Sequence, residues 1–383
     1  MKIAFFTDTY VPNTDGVVVS ILNFKAELEK RGHEVYVFSS GSDKAKKENG
    51  DSRVFYYDSA TFTPYPQYKI ALFPFFSYQK VRELRIDMVH SHGLATMGLA
   101  AAQSAKSLNL ASVGTFHTLV TEATHYISQQ ETVKKATGQM IWEYLKWYLP
   151  LFDTVTCPSN YIGKMLETHG IRTEVLPNGI DISRFSVAGD GAAFRQEYKI
   201  GKERKVVLHL GRVAFEKNLE LLVDAAPSVL KQDKDTLFVV CGTGPGLEHY
   251  RNLVKKKGLS ESFLFTGFVP DALLASAYSS ASAFAFPSKF ETQGLVALEA
   301  MASGVPVAAC RQSAASDFVE TGKNGMLFND GAEECASAIL ECVEKKSEMS
   351  AAARATAEQY SREKCTAGLV KIYERLLEKR KKK

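Results

Sequence analysis

The sequence predicts an α/β protein of two doubly wound domains, and three observations carry that expectation. The chain has 383 residues, more than one hydrophobic core usually organises, and 45% of them are hydrophobic, enough for two cores. Short apolar runs ending in glycine-rich or polar loops alternate with stretches of helical period through both halves. Finally, Ala283-Phe-Ala-Phe286 passes through Pro287 into a polar loop, a helix that Gly304 closes, and a second strand around Pro306. That is a βαβ unit with its polar residues at the strand's carboxyl end, where open α/β sheets bind ligands.

From the amino terminus, Ile3 to Phe6 reads as a buried strand and Thr7 to Gly16 as the loop after it. Val17, Ile21, Phe24 and Leu28 recur at helical spacing until Arg31-Gly32, and Val35 to Phe38 is the next strand. No Gly-x-Gly-x-x-Gly is present there, which argues against a nicotinamide or flavin cofactor at this end. Gly16 opens the helix, where a backbone amide can approach a diphosphate; the plainer alternative is a helix-entry or N-cap glycine. Asp87 to His92 and Ala111 to Thr118 read as strands ending in histidine, so His90, His92 and His117 stand near the ligand crevice. His90 and His92 are expected to satisfy backbone around their turn, and no carboxylate falls at metal-ligand spacing beside the three.

Between residues 120 and 152 the chain turns aromatic and basic, with Lys134, Lys135 and both tryptophans, Trp142 and Trp147. One reading is an interfacial helix, its rings at the headgroup level and its lysines toward anionic lipid at about 1 kcal/mol per basic residue. The other is a core helix, since the run is apolar nearly all round. Ser159 either faces the crevice or caps a helix. Pro177-Asn178-Gly179 is a turn, and the polar stretch 186–204 reads as a linker, which divides the domains at 1–186 and 187–360.

The second domain starts with Lys205 to Leu210, followed by the loop Gly211-Arg212-Val-Ala-Phe-Glu216-Lys217-Asn218 and a helix over 218–230. Arg212 and Lys217 are expected to converge with Glu291 in one crevice, a fork and a point charge suited to a diphosphate. A surface ion pair of Glu216 with Lys217 is the bland alternative. Phe238 to Gly246 and Phe263 to Pro270, which includes Val269, are further strand–turn segments, and Pro245 interrupts any dinucleotide fingerprint. In the βαβ unit Glu291 is placed in the loop and Glu299 about two turns into the helix. The amides of Gln293, Gly294 and Leu295 lack helical partners and can receive a phosphate, while the two carboxylates accept hydroxyls. A sugar nucleotide offers both kinds of group; a solvated helix face is the competing explanation. Tyr360 to Lys383 reads as a final helix with a five-residue basic tail.

Composition excludes several classes. Lys plus Arg number 47 and Asp plus Glu 43, a net charge of +4 that gives no argument for nucleic acid. The six cysteines are scattered without Cys-x-x-Cys, as expected of reduced, mostly buried thiols. No run approaches the roughly 18 apolar residues of a membrane span, and the amino terminus lacks an export-type apolar region. A cytoplasmic protein, able to sit at the inner face of the cell membrane, is expected.

Glu291 to Glu299, followed by Ala-Met-Ala-Ser-Gly-Val-Pro-Val, together with Gly211-Arg212 and Glu216-Lys217-Asn218, resembles the donor site of retaining glycosyltransferases of family GT4, which have the GT-B fold. The variant Glu291-Thr-Gln293-Gly294-Leu295 is most similar to the branch that glycosylates diacylglycerol-type lipids. The resemblance implies two Rossmann-like domains facing a central cleft, with the acceptor in the first, the donor in the second, and the helix 361–383 joined to the first. It implies a hexosyltransferase moving a hexose, glucose first, from a nucleoside diphosphate sugar, UDP first, to a lipid hydroxyl. By the same resemblance Arg212, Lys217 and the Gly294-Leu295 amides take the leaving diphosphate, and Gly16 faces the donor phosphates. Glu291 and His117 hold sugar hydroxyls, Glu299 holds the ribose, and the loop at Val269 meets the base through backbone. Gln293 marks the subfamily. No cofactor beyond the co-substrate and no metal are implied, since Asp233-Lys-Asp235 falls in a helix-to-strand connection away from the site. The competitors are a GT4 transferase using GDP-mannose with a soluble or phosphoinositide acceptor, a GT-B sugar-nucleotide epimerase, and a non-catalytic binding module.

Overall fold

Strands that are apolar on both faces need a helical layer on each side, and that requirement explains the first unit, Met1–Gly179 with Arg362–Lys383. In the computed structural model, which describes residues 1–13, 15–61, 69–119 and 130–382, its elements are β1 (Lys2–Thr7), α1 (Gly16–Lys30), β2 (Glu34–Gly41), α2 (Asp43–Glu48), β3 (Val54–Thr61), β4 (Lys69–Ala71), α3 (Ser77–Glu83), β5 (Met88–Ser91), α4 (Thr96–Ser107), β6 (Ala111–Thr115), α5 (Glu131–Tyr148), β7 (Thr154–Cys157), α6 (Asn160–Thr168) and β8 (Glu174–Val175). The sheet order is β4-β3-β2-β1-β5-β6-β7-β8, parallel except at β3–β4. Alternate residues of β1 serve opposite cores. Ile3 and Phe5 pack with Val17, Ile21, Phe24 and Leu28, whereas Ala4 and Phe6 pack with Met97, Ala101, Leu145 and Tyr148. Each such Ile or Phe contributes roughly 1.5–3 kcal/mol by leaving water.

The second unit, Ile180–Ser361, contains α7 (Ala192–Glu197), β9 (Lys205–Leu210), α8 (Leu219–Gln232), β10 (Thr236–Cys241), α9 (Leu247–Lys256), β11 (Phe263–Gly267), α10 (Asp271–Ser280), β12 (Ala283–Phe286), α11 (Leu295–Ala302), β13 (Val307–Cys310), β14 (Gly325–Phe328), α12 (Ala332–Glu344) and α13 (Lys346–Gln359). Its sheet is parallel, in the order β11-β10-β9-β12-β13-β14. Helix α11 is short and almost wholly sunk, with Ala297, Leu298, Ala300, Met301 and Ala302 sharing a core with Ala353 and Ala357 of α13. Small side chains let these two helices approach closely.

The chain then returns to the first unit as α14 (Arg362–Lys381), whose Leu369, Ile372, Tyr373 and Leu376 join the core of Ile3 and Phe5. The units divide at 179/180, ahead of the expected 186/187, because Ile180 and Phe185 are buried in the second unit's core. The basic tail is also less free than its composition suggests. Arg380 is helical and pairs with Asp153 at 3.0 Å. All six cysteines are buried and unpaired with one another. Among the described residues no helix is long and apolar enough to cross a membrane.

In each sheet the strand order reverses once, between β1 and β5 and between β9 and β12. Loops leaving adjacent strands part at such a point and open a crevice.

Candidate active site

In the second unit the crevice is bounded by the loop after β9 and the loop after β12. These strands are parallel neighbours, so their carboxyl ends deliver residues 211–218 and 287–294 side by side. Asn218 adopts the left-handed conformation (φ 55°, ψ 38°), which asparagine tolerates better than most residues, and its Nδ2 donates to Pro287 O at 3.4 Å. Ser288 Oγ donates to Glu216 O at 3.3 Å. On this frame Lys217 Nζ donates to Glu291 Oε1 at 2.5 Å, with 21% and 16% of the two side chains exposed. Arg212 Nη1 lies 3.7 Å from Glu216 Oε1. In place of the expected alternative, a Glu216–Lys217 pair, the structure has Arg212–Glu216 inside the first loop and Lys217–Glu291 joining the two loops. A lysine and a carboxylate held this close can each exchange the other for a ligand of opposite polarity.

The loop after β12 ends at Gly294, whose φ of 90° and ψ of 56° place it in the left-handed region. A Cβ there would stand 2.8 Å from Phe286 Cζ, so glycine is demanded by its backbone and by the ring beneath it as well as by any ligand. Because Gly294 ends the turn, α11 starts at Leu295, and Glu299 stands one turn into the helix, not the two expected. The first-turn amides of α11 have no helical acceptor, and the helix dipole adds positive potential at that end. Gln293 is buried, and Leu295 and Val269 are half-buried against the core.

Glu299 has a partner that periodicity did not indicate. Tyr278 of α10 donates its hydroxyl to Glu299 Oε2 at 2.7 Å. Desolvation raises the carboxyl pKa to about 7, opposed by the Tyr278 hydrogen bond and by the charge of Arg184. His209, at the end of β9, was also missed, although the strand-end rule that selected the other histidines applies to it equally. It is buried, bonded through Nδ1 to Ala285 O at 3.1 Å, and held to a pKa of about 4 by burial.

In the first unit the corresponding reversal lies between the loops after β1 and β5. Asp8, at the end of β1, is buried and accepts Ala95 N at 2.8 Å and Met97 N at 3.1 Å, capping the start of α4 with an internal carboxylate. Gly16 is the first helical residue and not the cap. Asp15 caps α1, its Oδ1 accepting Val17 N at 2.9 Å and Val18 N at 3.0 Å. A Cβ on Gly16 would meet nothing within 4 Å among the described residues, so their packing does not require glycine there.

His90 and His92, expected to satisfy backbone around their turn, meet side chains instead. His90 bridges Tyr373 Oη through Nδ1 and Thr115 Oγ1 through Nε2, both at 2.6 Å, and so fastens α14 to the sheet. His92 Nδ1 lies 2.9 Å from His117 Nε2. Ser159 takes the plainer of its two roles and caps α6, its Oγ accepting Ile162 N at 3.2 Å.

Helix α5 divides its aromatic residues between the two readings given for it. Tyr148 is buried, donating to Gly93 O at 2.7 Å, and Tyr144 donates to Leu94 O at 2.6 Å. Trp142 stacks on His169 with ring centroids 3.6 Å apart. By contrast Trp147 is 57% exposed, Met140 is exposed too, and so is Lys135, while Lys134 is half-buried. The helix is therefore one-sided, not apolar all round. A second apolar surface on this unit went unread: Phe73, Phe75 and Phe76, just after β4, are exposed, Phe73 to 79%. Their clustering around Pro74 in the sequence was the available signal. Part of the segment 120–152 lies outside the described residues, as do 62–68 next to this patch. Among the described residues no group of three His, Cys, Asp or Glu side chains is arranged to hold a metal ion.

With this geometry in view, comparison with known proteins is specific. Residues 14–184 match the family model described as Glycosyltransferase Family 4, and residues 190–362 match Glycosyl transferases group 1. An alpha-monoglucosyldiacylglycerol synthase of Acholeplasma laidlawii is 30% identical over 347 residues, covering 87% of this chain and 86% of the relative. The enzyme of the same name from Streptococcus pneumoniae is 29% identical, covering 90% and 78%. A GDP-mannose-dependent alpha-mannosyltransferase of Corynebacterium glutamicum is 26% identical, covering 86% and 77%. Among solved structures, Anabaena HepE in complex with UDP and glucose aligns with a TM-score of 0.77 at 19% identity, covering 98% of this chain and 99% of that one. Two parallel-sheet units with the Lys217–Glu291 pair and the α11 amide turn at the second unit's strand reversal, in a chain so matched, make this protein a glycosyltransferase of family 4 with the GT-B fold.

Proposed function

We propose that the protein transfers glucose from UDP-glucose to the free hydroxyl of diacylglycerol, retaining the anomeric configuration and needing no metal. The observation that carries the donor half is the Lys217–Glu291 contact of 2.5 Å beside the amino terminus of α11. Without a ligand the two side chains neutralise each other. A bound sugar diphosphate offers each a better partner, oxygen anions for Lys217 and hydroxyls for Glu291. Arg212 and the Gly294-Leu295 amides add donors aimed at the departing charge, which is electrostatic preorganisation in place of a metal. Glu299 takes the ribose diol, and His117 takes a hydroxyl of the transferred sugar.

The lipid acceptor is supported by the first unit's surface and by the names of the two similar synthases. Trp147 and Met140 on α5 are exposed, and Lys135 stands on the same helix, a pattern suited to an anionic interface. Phe73, Phe75 and Phe76 add apolar area on the same unit. Radiolabelled UDP-glucose incubated with diacylglycerol vesicles in EDTA should give an α-linked, organic-phase product. Label that enters lipid only from GDP-mannose would transfer the assignment to the mannosyltransferase reading, and an isomerised sugar nucleotide without lipid product would make the protein an epimerase.

Two further expectations arise here. The double variant Met140→Glu/Trp147→Glu should lose about tenfold or more in vesicle binding while its UDP affinity stays at the wild-type level, since two apolar contacts become charges at the interface. Vesicle co-sedimentation and UDP calorimetry read the two separately. Glu299, with its carboxyl near 7, should make nucleotide affinity fall as pH drops through that value, because the protonated form accepts hydroxyls less well. UDP titrations on either side of neutrality, compared with Glu299→Gln, subtract the phosphate's own ionisation. A variant with the wild-type pH slope would remove Glu299 from the nucleotide site.

A further inference from the structure

Three imidazoles lie in sequence at the carboxyl edge of the first unit's sheet. The His90 and His92 rings are 4.0 Å apart, and His92 faces His117 at 5.1 Å with planes 22° apart. Phe5 closes one side, presenting an edge-on contact to His90 and His92. His92 is 4% exposed and His117 7%. Burial holds all three below the ordinary histidine range, so each ring is neutral near pH 7 and carries one hydrogen.

Between two neutral rings 2.9 Å apart, one nitrogen must donate and the other accept. The opposite nitrogen of His92 decides which. His92 Nε2 is buried and has no hydrogen-bond partner among the described residues. Were the hydrogen there, an N–H would be stranded in the interior, and orphaned N–H groups are the rarer defect, less tolerated than an under-used acceptor. The hydrogen therefore belongs on His92 Nδ1, directed at His117 Nε2. His117 Nε2 then has a lone pair in use, and the His117 hydrogen moves to Nδ1. His90 cannot take over this function, because both of its nitrogens are engaged by Tyr373 and Thr115.

We propose that His92 is a positioning residue that fixes His117 as its Nδ1–H tautomer, so that His117 presents a hydrogen-bond donor to an oxygen of the transferred sugar. This rests on the reading of His117 as a sugar-hydroxyl partner. A donor at that nitrogen selects a hydroxyl oriented to accept, with its own hydrogen turned toward another acceptor. With the hydrogen on Nε2 instead, His117 would offer the sugar a lone pair and require the opposite orientation.

The test is long-range proton–nitrogen NMR of the full chain labelled at its histidine rings, paired with steady-state kinetics. In the wild type, His117 Nδ1 should give a protonated signal and Nε2 an unprotonated one. His92→Phe keeps a ring against Phe5 and His90 but removes the donor. It should shift the hydrogen of His117 toward Nε2 and lower kcat about tenfold, one ordinary hydrogen bond's worth, with donor KM nearly unchanged. His92→Gln, whose amide can donate to the same nitrogen, should restore both signals and most of kcat, and it carries the test if the phenylalanine variant fails to fold. A wild-type His117 protonated at Nε2, or unchanged ring nitrogens in a folded His92→Phe, overturns the proposal. Failure of the underlying reading would appear elsewhere, as undiminished transfer by His117→Ala, while the wild-type spectrum still decides where the hydrogen sits.

Discussion

Lys217→Ala is expected to stop sugar transfer while leaving the chain folded. The variant removes the cation proposed for the leaving diphosphate and releases Glu291 from its 2.5 Å partner. Loss of one preorganised charge of this kind lowers kcat by about 10²–10³. Stability should change little, because both side chains are partly open to water and Glu291 can be hydrated once alone. Lys217→Arg is expected to recover only part of the rate, since a planar fork does not reproduce a compact ammonium. The measurements are single-turnover transfer from UDP-glucose and a thermal melt. Near-wild-type turnover by the alanine variant would sink the assignment of the donor site.

Gly294→Ala should damage both the fold and the site. A left-handed alanine costs about 1–2 kcal/mol, and pressing a methyl against Phe286 Cζ from 2.8 Å away adds about 1–3 kcal/mol. The denaturation midpoint should fall with an unchanged slope, and transfer should fall further than the lost stability explains, because the amide turn tilts with the ring. Gly294→Ala/Phe286→Leu relieves the crowding but not the backbone conformation. It should therefore regain only part of the stability, and full recovery would show that the left-handed turn is not needed.

What could be read in the sequence was whatever depends on neighbours along the chain. Val17, Ile21, Phe24 and Leu28 declared a helix by spacing, and all four are buried. The polar residues at the end of Ala283–Phe286 could be assigned to a crevice because strand ends and helix starts converge by rule. Partners distant in sequence could not be read. His90 meets Tyr373 of the last helix, Glu299 meets Tyr278 of another, and Lys217 meets Glu291; only the last pair was brought together beforehand, as members of one crevice. The depth of Glu299 was misjudged because a single left-handed residue, Gly294, moved the helix start. Asp15 illustrates a signal that was present and outranked: an aspartate just before a helix is a strong N-cap, yet Gly16 drew the attention. The domain boundary moved for a similar reason. The polar composition of 186–204 marked a linker, but the burial of Ile180 and Phe185 decides where the second unit begins.

The first unit is discontinuous, and the chain leaves it and re-enters it at adjoining points. Ile180 N donates to Tyr360 O at 2.9 Å, and Ile180 bridges Ser361. During synthesis, then, the inner unit can finish while the outer one waits. Until α14 arrives, the core that Ile3 and Phe5 share with α1 lacks Leu369, Ile372, Tyr373 and Leu376, and His90 lacks its Tyr373 partner. A ribosome that stalls after residue 361 would release a complete second unit beside an unfinished first one. Within this chain the segment that completes the first unit is thus made only after the whole of the second.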